Sequence, residues 1–186
     1  MQTHLVLTVI GPDRPGLIRA VAAEIAAADG SWLESRMARL AGQFAGIVLA
    51  TAPQPKVEAL IERLNGLASQ GLRIAIERGS IEAPPLAERS LRLELLGQDR
   101  PGIVRDIAAV LAERRISVDE LQTETLSGSF SGESLFKATA RLRVPAAVAT
   151  ATLRTALEDL ANELMVDISL ADSDPAAAGV AENRSG

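Results

Sequence analysis

Two short segments concentrate the residues able to hold a small charged ligand. They are Gly11–Pro12–Asp13–Arg14–Pro15–Gly16 and Gly97–Gln98–Asp99–Arg100–Pro101–Gly102. Each follows an apolar run and precedes a stripe with helical spacing. A helix N-terminus presents N–H donors without intrahelical partners and a partial positive charge, so it attracts a carboxylate. Gly16 and Gly102 let a ligand approach the backbone. Arg14 and Arg100 add positive charge, and Asp13 and Asp99 can accept from an ammonium group. Both signs together suit a zwitterion such as an amino acid. The same residues equally build a loop that binds nothing, with aspartate as cap, proline as brace and glycine for close packing. The spacing is not that of a Gly-x-Gly-x-x-Gly dinucleotide loop or a Walker-type phosphate loop.

Little else in the chain could do chemistry. There is no cysteine, which removes disulfides, iron–sulfur clusters, thiolate zinc sites and cysteine nucleophiles. His4 is the single histidine, so one chain offers no multi-histidine metal site. Ser35 sits in Glu34–Ser35–Arg36 without a Ser–His–Asp set. The acidic pairs Asp119–Glu120 and Glu158–Asp159 are adjacent in sequence, the second on a solvated helix face, and neither makes an acid–base arrangement. The expectation is a protein with no catalytic residues, no cofactor and no metal.

The two segments belong to a larger internal repeat. Leu5 to Arg19 aligns without a gap on Leu91 to Arg105, an offset of 97 − 11 = 86. Ala22 and Ala108, Ala26 and Ala112, Ser31 and Ser117, Glu34 and Glu120, and Gly42 and Gly128 continue it. In the first copy Leu5, Leu7 and Val9 alternate as a strand. Asp13 is placed to cap the following helix, with Pro15 in its first turn. Leu17, Val21, Ile25 and Ala28 form the helix stripe, and Gly30 is the expected stop. Strands are predicted at about 31–41 and 44–52 with Ala41–Gly42–Gln43 as the turn. Val57, Leu60, Ile61, Leu64 and Leu67 give a second helix, ended near Gly71, and Leu72, Ile74 and Ile76 a fourth strand. The second copy repeats this order, with strands at Leu91/Leu93/Leu95, at about 116–127 and 133–144, and near 165–171. Its helices carry Ile103, Ile107, Val110 and Leu111, then Leu153, Leu157, Leu160, Ala161 and Leu164. Its inter-strand turn, Ser127 to Glu133, is longer and rich in glycine and serine, which suggests mobility.

The order βαββαβ, twice, predicts an α+β chain of two ferredoxin-like domains in tandem, each an antiparallel sheet with helices on one face. The expected bounds are 1–80, a linker at 81–89, 90–171, and a disordered tail at 172–186. The first 86 residues carry 8 basic and 8 acidic side chains, and the remainder 19 − 8 = 11 and 24 − 8 = 16, so the net charge of −5 lies in the second copy and tail. With Leu5, Leu7 and Val9 turned toward the helices, Val6 and Ile10 face away. Apolar residues on an open sheet face suggest cover by the other copy or by another subunit.

Composition limits the partners. The four aromatics, Trp32, Phe44, Phe130 and Phe136, offer no stacking platform, and the net charge disfavours a phosphate backbone, so no direct nucleic-acid contact is expected. No stretch reaches the roughly 20 apolar residues of a membrane helix. The run Leu5 to Ile10 is too short for a signal-peptide core and follows no basic residue. A cytoplasmic protein with no membrane partner is expected.

The doubled loop within a doubled βαββαβ pattern resembles the tandem ACT domain proteins, over about residues 3–171. Within that family, Leu33–Glu34–Ser35–Arg36–Met37–Ala38–Arg39–Leu40–Ala41–Gly42–Gln43–Phe44–Ala45–Gly46–Ile47 resembles the second and third strands of the glycine cleavage system transcriptional repressor group. The resemblance implies a non-enzymatic regulator of transcription that responds to an amino acid. It implies glycine or serine as the first candidate ligands and protein contact with a LysR-type transcriptional activator as the mode of repression. Ligand-binding positions carried over on the loop motif are Gly11, Asp13, Arg14, Pro15 and Gly16, with Gly97, Asp99, Arg100, Pro101 and Gly102 as counterparts. The second copy lacks the Ser-Arg-Met-Ala-Arg stretch, so the two sites need not be equivalent. ACT sheets associate edge to edge or face to face, which admits a homodimer, although two copies in one chain can also satisfy each other. The alternative reading is a protein-interaction scaffold built from ACT domains and indifferent to ligand.

Overall fold

In a computed structural model, residues 1–79, 88–127 and 134–172 are described. The chain divides into two compact units, Met1–Ala83 and Pro84–Gly186. The segments expected as an interdomain linker, a mobile β-turn and a disordered tail fall wholly or mostly outside the described residues.

The first unit runs β1 (Gln2–Pro12), α1 (Leu17–Ala27), β2 (Ser31–Leu40), β3 (Gln43–Pro53), α2 (Val57–Gly66) and β4 (Arg73–Gly79), with short 3-10 turns at Gln54–Lys56 and Leu67–Gln70. Its sheet has the order β2-β3-β1-β4, and every neighbouring pair is antiparallel. The second unit runs β5 (Glu88–Gln98), α3 (Ile103–Glu113), β6 (Ser117–Ser127), β7 (Ser134–Pro145), α4 (Thr150–Leu164) and β8 (Val166–Asp172). Its sheet has the matching order β6-β7-β5-β8, again antiparallel. Two ferredoxin-like βαββαβ folds in tandem are therefore the architecture.

Period decides which side chains are buried. In β1, Leu5, Leu7 and Val9 are buried at spacing two, and in β3 Val48, Ala50 and Ala52 match them on the same sheet face. Leu17, Val21 and Ile25 of α1 and Val57, Leu60 and Leu64 of α2 close over that face as one cluster. The second unit repeats this with Leu91, Leu93 and Leu95 under Ile103, Ile107 and Leu111, and under Leu153, Leu157, Leu160 and Leu164. Fully burying each aliphatic side chain is worth about 1.5–3 kcal/mol.

The corners depart from the sequence reading in instructive ways. α1 starts at Leu17, its N-cap is Gly16, and no side chain caps it, so Asp13 is not the cap and Pro15 precedes the first turn. The second copy behaves identically, with Gly102 as N-cap. At the far end of α1 the left-handed residue is Asp29, at φ 52°, rather than Gly30. Gly30 N–H donates to the Ile25 carbonyl at 2.9 Å and Asp29 N–H to that of Ala26 at 2.9 Å, a Schellman closure. Gly30 is required there for space, since a Cβ would lie 2.4 Å from the Thr51 carbonyl oxygen. The β2–β3 turn is tighter than expected. Only Ala41 and Gly42 lie between the strands, at φ 48° and 76°, as a type I′ hairpin demands. β5 begins at Glu88, inside the segment expected as linker, and β8 ends one residue later than expected, at Asp172.

The open sheet faces of the two units differ. On the first, Ile10 and Ile47 remain exposed. On the second the corresponding rows carry charge, with Arg92 to Glu94 at 2.7 Å, Lys137 to Glu124 at 3.0 Å and Arg141 to Glu120 at 2.6 Å. Leu96, the counterpart of Ile10, is 43% exposed beside them, so apolar surface persists on both open faces and the second adds paired charges to it.

Truncating Leu7 to alanine should destabilise the first unit by about 2–5 kcal/mol in urea unfolding. Thr8→Ala, one residue along on the exposed face, should cost less than about 0.5 kcal/mol. Equal effects would contradict the assignment of faces.

Candidate ligand-binding loops

Each strand-to-helix loop is held by its backbone before any side chain acts. Asp13 N–H donates to the Gly42 carbonyl at 2.9 Å, tying the first loop to the β2–β3 turn. Asp99 N–H donates to the Ser134 carbonyl at 2.8 Å at the equivalent place. Gly16 and Gly102 then take left-handed angles, φ 94° and 93°. Helix bonding begins with Ala20 N–H to the Gly16 carbonyl at 2.9 Å, and with Asp106 N–H to that of Gly102 at 3.0 Å. The N–H groups of Leu17, Ile18 and Arg19, and of Ile103, Val104 and Arg105, thus precede the ladder and are the donors a carboxylate would meet.

The glycines divide into two roles. A Cβ on Gly16 meets no described atom within 4 Å, so its requirement is conformational. A Cβ on Gly11 would lie 2.7 Å from the Gly71 carbonyl oxygen, and one on Gly97 would lie 2.2 Å from Val166. Gly11 and Gly97 therefore serve the close approach of β1 and β5 to their neighbours.

The charged residues diverge between copies. Asp13 faces Arg39 at the end of β2, with 3.4 Å between Oδ2 and Nη1. Arg14 donates to the Gln70 carbonyl, which ties the loop to the segment after α2. In the second copy Arg100 reaches Asp106 at 3.3 Å, and Arg105 reaches the same carboxylate at 2.7 Å. Arg100 Nε is buried with no hydrogen-bond partner among the described residues. Asp106 replaces Ala20 of the first copy, and Thr125 replaces Arg39. Counting Asp13, Arg14, Arg19 and Arg39, the first loop nets +3 − 1 = +2; counting Asp99, Arg100, Arg105 and Asp106, the second nets +2 − 2 = 0. The first is the better seat for a carboxylate.

The sequence motif brings together Gly11, Asp13, Arg14, Pro15 and Gly16 at one corner, and Gly97, Asp99, Arg100, Pro101 and Gly102 at the other. It misses Arg39, Gln70 and Asp106. Arg39 and Gln70 lie 26 and 56 residues from their loop partners, so only folding joins them. Asp106 was within reach, because the repeat itself sets it against Ala20. Among the described residues no group of three or more His, Cys, Asp or Glu side chains could hold a metal, and no helix is long and apolar enough to cross a membrane.

Fold and loops define a tandem of two small βαββαβ modules, each with its own glycine-led helix start. Residues 3–77 match the ACT domain family. The second unit repeats that topology and loop, so the chain is a tandem of ACT-like units. It is 24% identical over 165 residues to the glycine cleavage system transcriptional repressor of Escherichia coli, covering 88% of this chain and 86% of that one. A crystal structure of an unknown protein from Galdieria sulphuraria is 32% identical, with a TM-score of 0.84, covering 94% of this chain and 100% of that one. A crystal structure of a candidate glycine cleavage system transcriptional repressor shares the fold at 23% identity and TM-score 0.68, covering 91% of this chain and 96% of that one.

Gly16→Ala should cost about 1–2 kcal/mol in urea unfolding, with Gly16→Asn recovering part of the loss because asparagine tolerates the left-handed region. Gly11→Ala should cost about 1–3 kcal/mol by overpacking, and Gly11→Asn should be worse. The same ranking at both positions would contradict the two roles.

Proposed function

We propose that the chain is an amino-acid-responsive regulator of the glycine cleavage system repressor kind, acting by protein contact rather than by catalysis. The observation that carries this reading is the pair of glycine-led helix starts, each with unladdered N–H donors beside both signs of charge. A ligand carboxylate would sit on those donors, and Arg14 and Arg39, or Arg100 and Arg105, would add long-range attraction. The ammonium would meet Asp13 or Asp99. The binding positions are then Gly11, Asp13, Arg14, Pro15 and Gly16, with Gly97, Asp99, Arg100, Pro101 and Gly102 as the second set. Glycine or serine is the ligand, and a LysR-type activator is the protein that reads the bound state.

A second reading has one observation in its favour. Asp13, Arg14 and Arg100 already have partners within their own unit. A loop whose charges are satisfied internally suits a scaffold that holds its protein partner whether or not an amino acid is present.

Calorimetry of the full chain against glycine and serine separates these. Binding by the wild type, weakened about ten-fold or more by Asp13→Ala and unchanged by removal of residues 173–186, is the expected result, since a charged hydrogen bond is worth about 1.5–3 kcal/mol. A folded wild type that binds neither amino acid, with a pull-down of the activator equally strong in its absence, would establish the scaffold instead.

A further inference from the structure

The second unit contains a cavity at a place that large side chains occupy in the first. It lies between α3 and β6 and measures about 40 Å³. Val104 and Ala108 of α3 form one wall, Val118 and Leu121 of β6 the other, and Phe136 and Ala140 of β7 the floor. Val104, Val118 and Leu121 are 42%, 44% and 50% exposed, so the mouth opens to solvent. All the lining side chains are hydrocarbon. A water molecule needs two to four polar partners, so the space favours an apolar occupant.

Strand register lets the units be superposed residue by residue. Gly97 pairs with Phe136 as Gly11 pairs with Phe44, and Leu93 pairs with Ala140 as Leu7 pairs with Val48. On the edge strands both units carry a bulge at the same place. Val118 then stands opposite Leu142 where Trp32 stands opposite Ala50, and Thr123 opposite Ala138 where Met37 stands opposite Gly46. Trp32 and Met37 pack, partly buried, against the first core. Met37 lies so close that a Cβ on Gly46 would be 2.4 Å from its Cγ. On the cavity wall, Val118 in place of Trp32 and Ala140 in place of Val48 remove side-chain volume, and Leu121 in place of Ser35 and Ala138 in place of Gly46 return part of it. At the Val118 position the first unit seats the large apolar side chain of Trp32 against its core.

We propose that this cavity receives the apolar side chain of an amino-acid ligand of the leucine, isoleucine, valine or methionine class. The second unit is then selective for a bulkier amino acid than the first. This rests on the amino-acid reading above. Val104, on the cavity wall, is the second residue of α3 and carries one of the N–H groups that precede the helix ladder. A ligand whose side chain fills the cavity therefore keeps its polar end beside the Gly97–Gly102 loop. The first loop, with its surplus of positive charge and with Trp32 and Met37 in place, is left for the smaller amino acid.

Calorimetry of the full chain with glycine, leucine and isoleucine tests this, using Val118→Trp to install the first unit's residue. Leucine should bind the wild type, and Val118→Trp should weaken it about ten-fold or more while leaving glycine unchanged. Leu121→Ser, which gives the wall its first-unit residue at a half-exposed position, should weaken leucine in the same direction and serves if the tryptophan variant does not fold. Glycine binding without any apolar amino acid would overturn the cavity proposal and leave the regulator reading intact. Leucine bound equally by the wild type and both variants would place it elsewhere and overturn the cavity proposal alone. Binding of no amino acid would overturn both.

Discussion

The path from each first strand into its first helix depends on one glycine held at a left-handed backbone angle, Gly16 at φ 94° and Gly102 at φ 93°. β1 and β5 must deliver the chain at the sheet's end, and α1 and α3 must lie back over the face that carries Leu5, Leu7 and Val9, or Leu91, Leu93 and Leu95. A residue with a Cβ pays about 1–2 kcal/mol to make that turn. The turn also decides where the first helical N–H groups point. One backbone constraint therefore closes the core and creates the electropositive corner. It explains why Asp13 and Asp99 do not cap. The helix is already started by the glycine, which frees each aspartate's side chain while its N–H is fixed to the neighbouring hairpin.

Much of this was legible in the sequence because the signals were periodic and doubled. Alternation at spacing two along Leu5, Leu7 and Val9 and stripes such as Leu153, Leu157, Leu160 and Leu164 mark strand and helix directly, and the 86-residue offset makes each unit a check on the other. Local chemistry was harder to read. Asp13 followed by Pro15 looks like a helix start, yet a left-handed glycine one residue later overrides it. Gly30 looks like a left-handed stop, yet Asp29 takes that angle and Gly30 answers to the Thr51 carbonyl. In both cases the competing choices lie within three residues, and the tertiary contact selects between them. The partners of the loops, Arg39 and Gln70, lie far along the chain and carry no local mark at all.

The repeat also hides its own divergence. The identical Asp-Arg-Pro-Gly steps suggest two equal corners, but the residues that surround them do not repeat. Ala20 becomes Asp106, Arg39 becomes Thr125, and the charge at the corner falls from +2 to 0. The open sheet face keeps an exposed apolar residue, Ile10 or Leu96, and in the second unit gains paired charges beside it. Core positions conserve their chemistry because packing density leaves little latitude. Surface and rim positions drift because a charge pair in water contributes little to stability.

The edge strands β2 and β6 lie between these regimes, and their difference is the most informative. Each covers the outer side of its first helix, so its inward residues are half core and half surface. With Trp32 and Met37 the strand completes the core. With Val118 it leaves apolar walls in contact with solvent, including Leu121 at half exposure. Leaving such surface uncovered forfeits roughly 25 cal/mol for every Å² not buried. A fold that holds its other helix–sheet contacts so closely gains nothing in stability from that gap. In the proposal above, a ligand side chain that fills the space recovers that burial only when the ligand is present. That difference between the two states is what a regulatory module must possess, since a ligand can shift a conformational equilibrium only by its differential affinity.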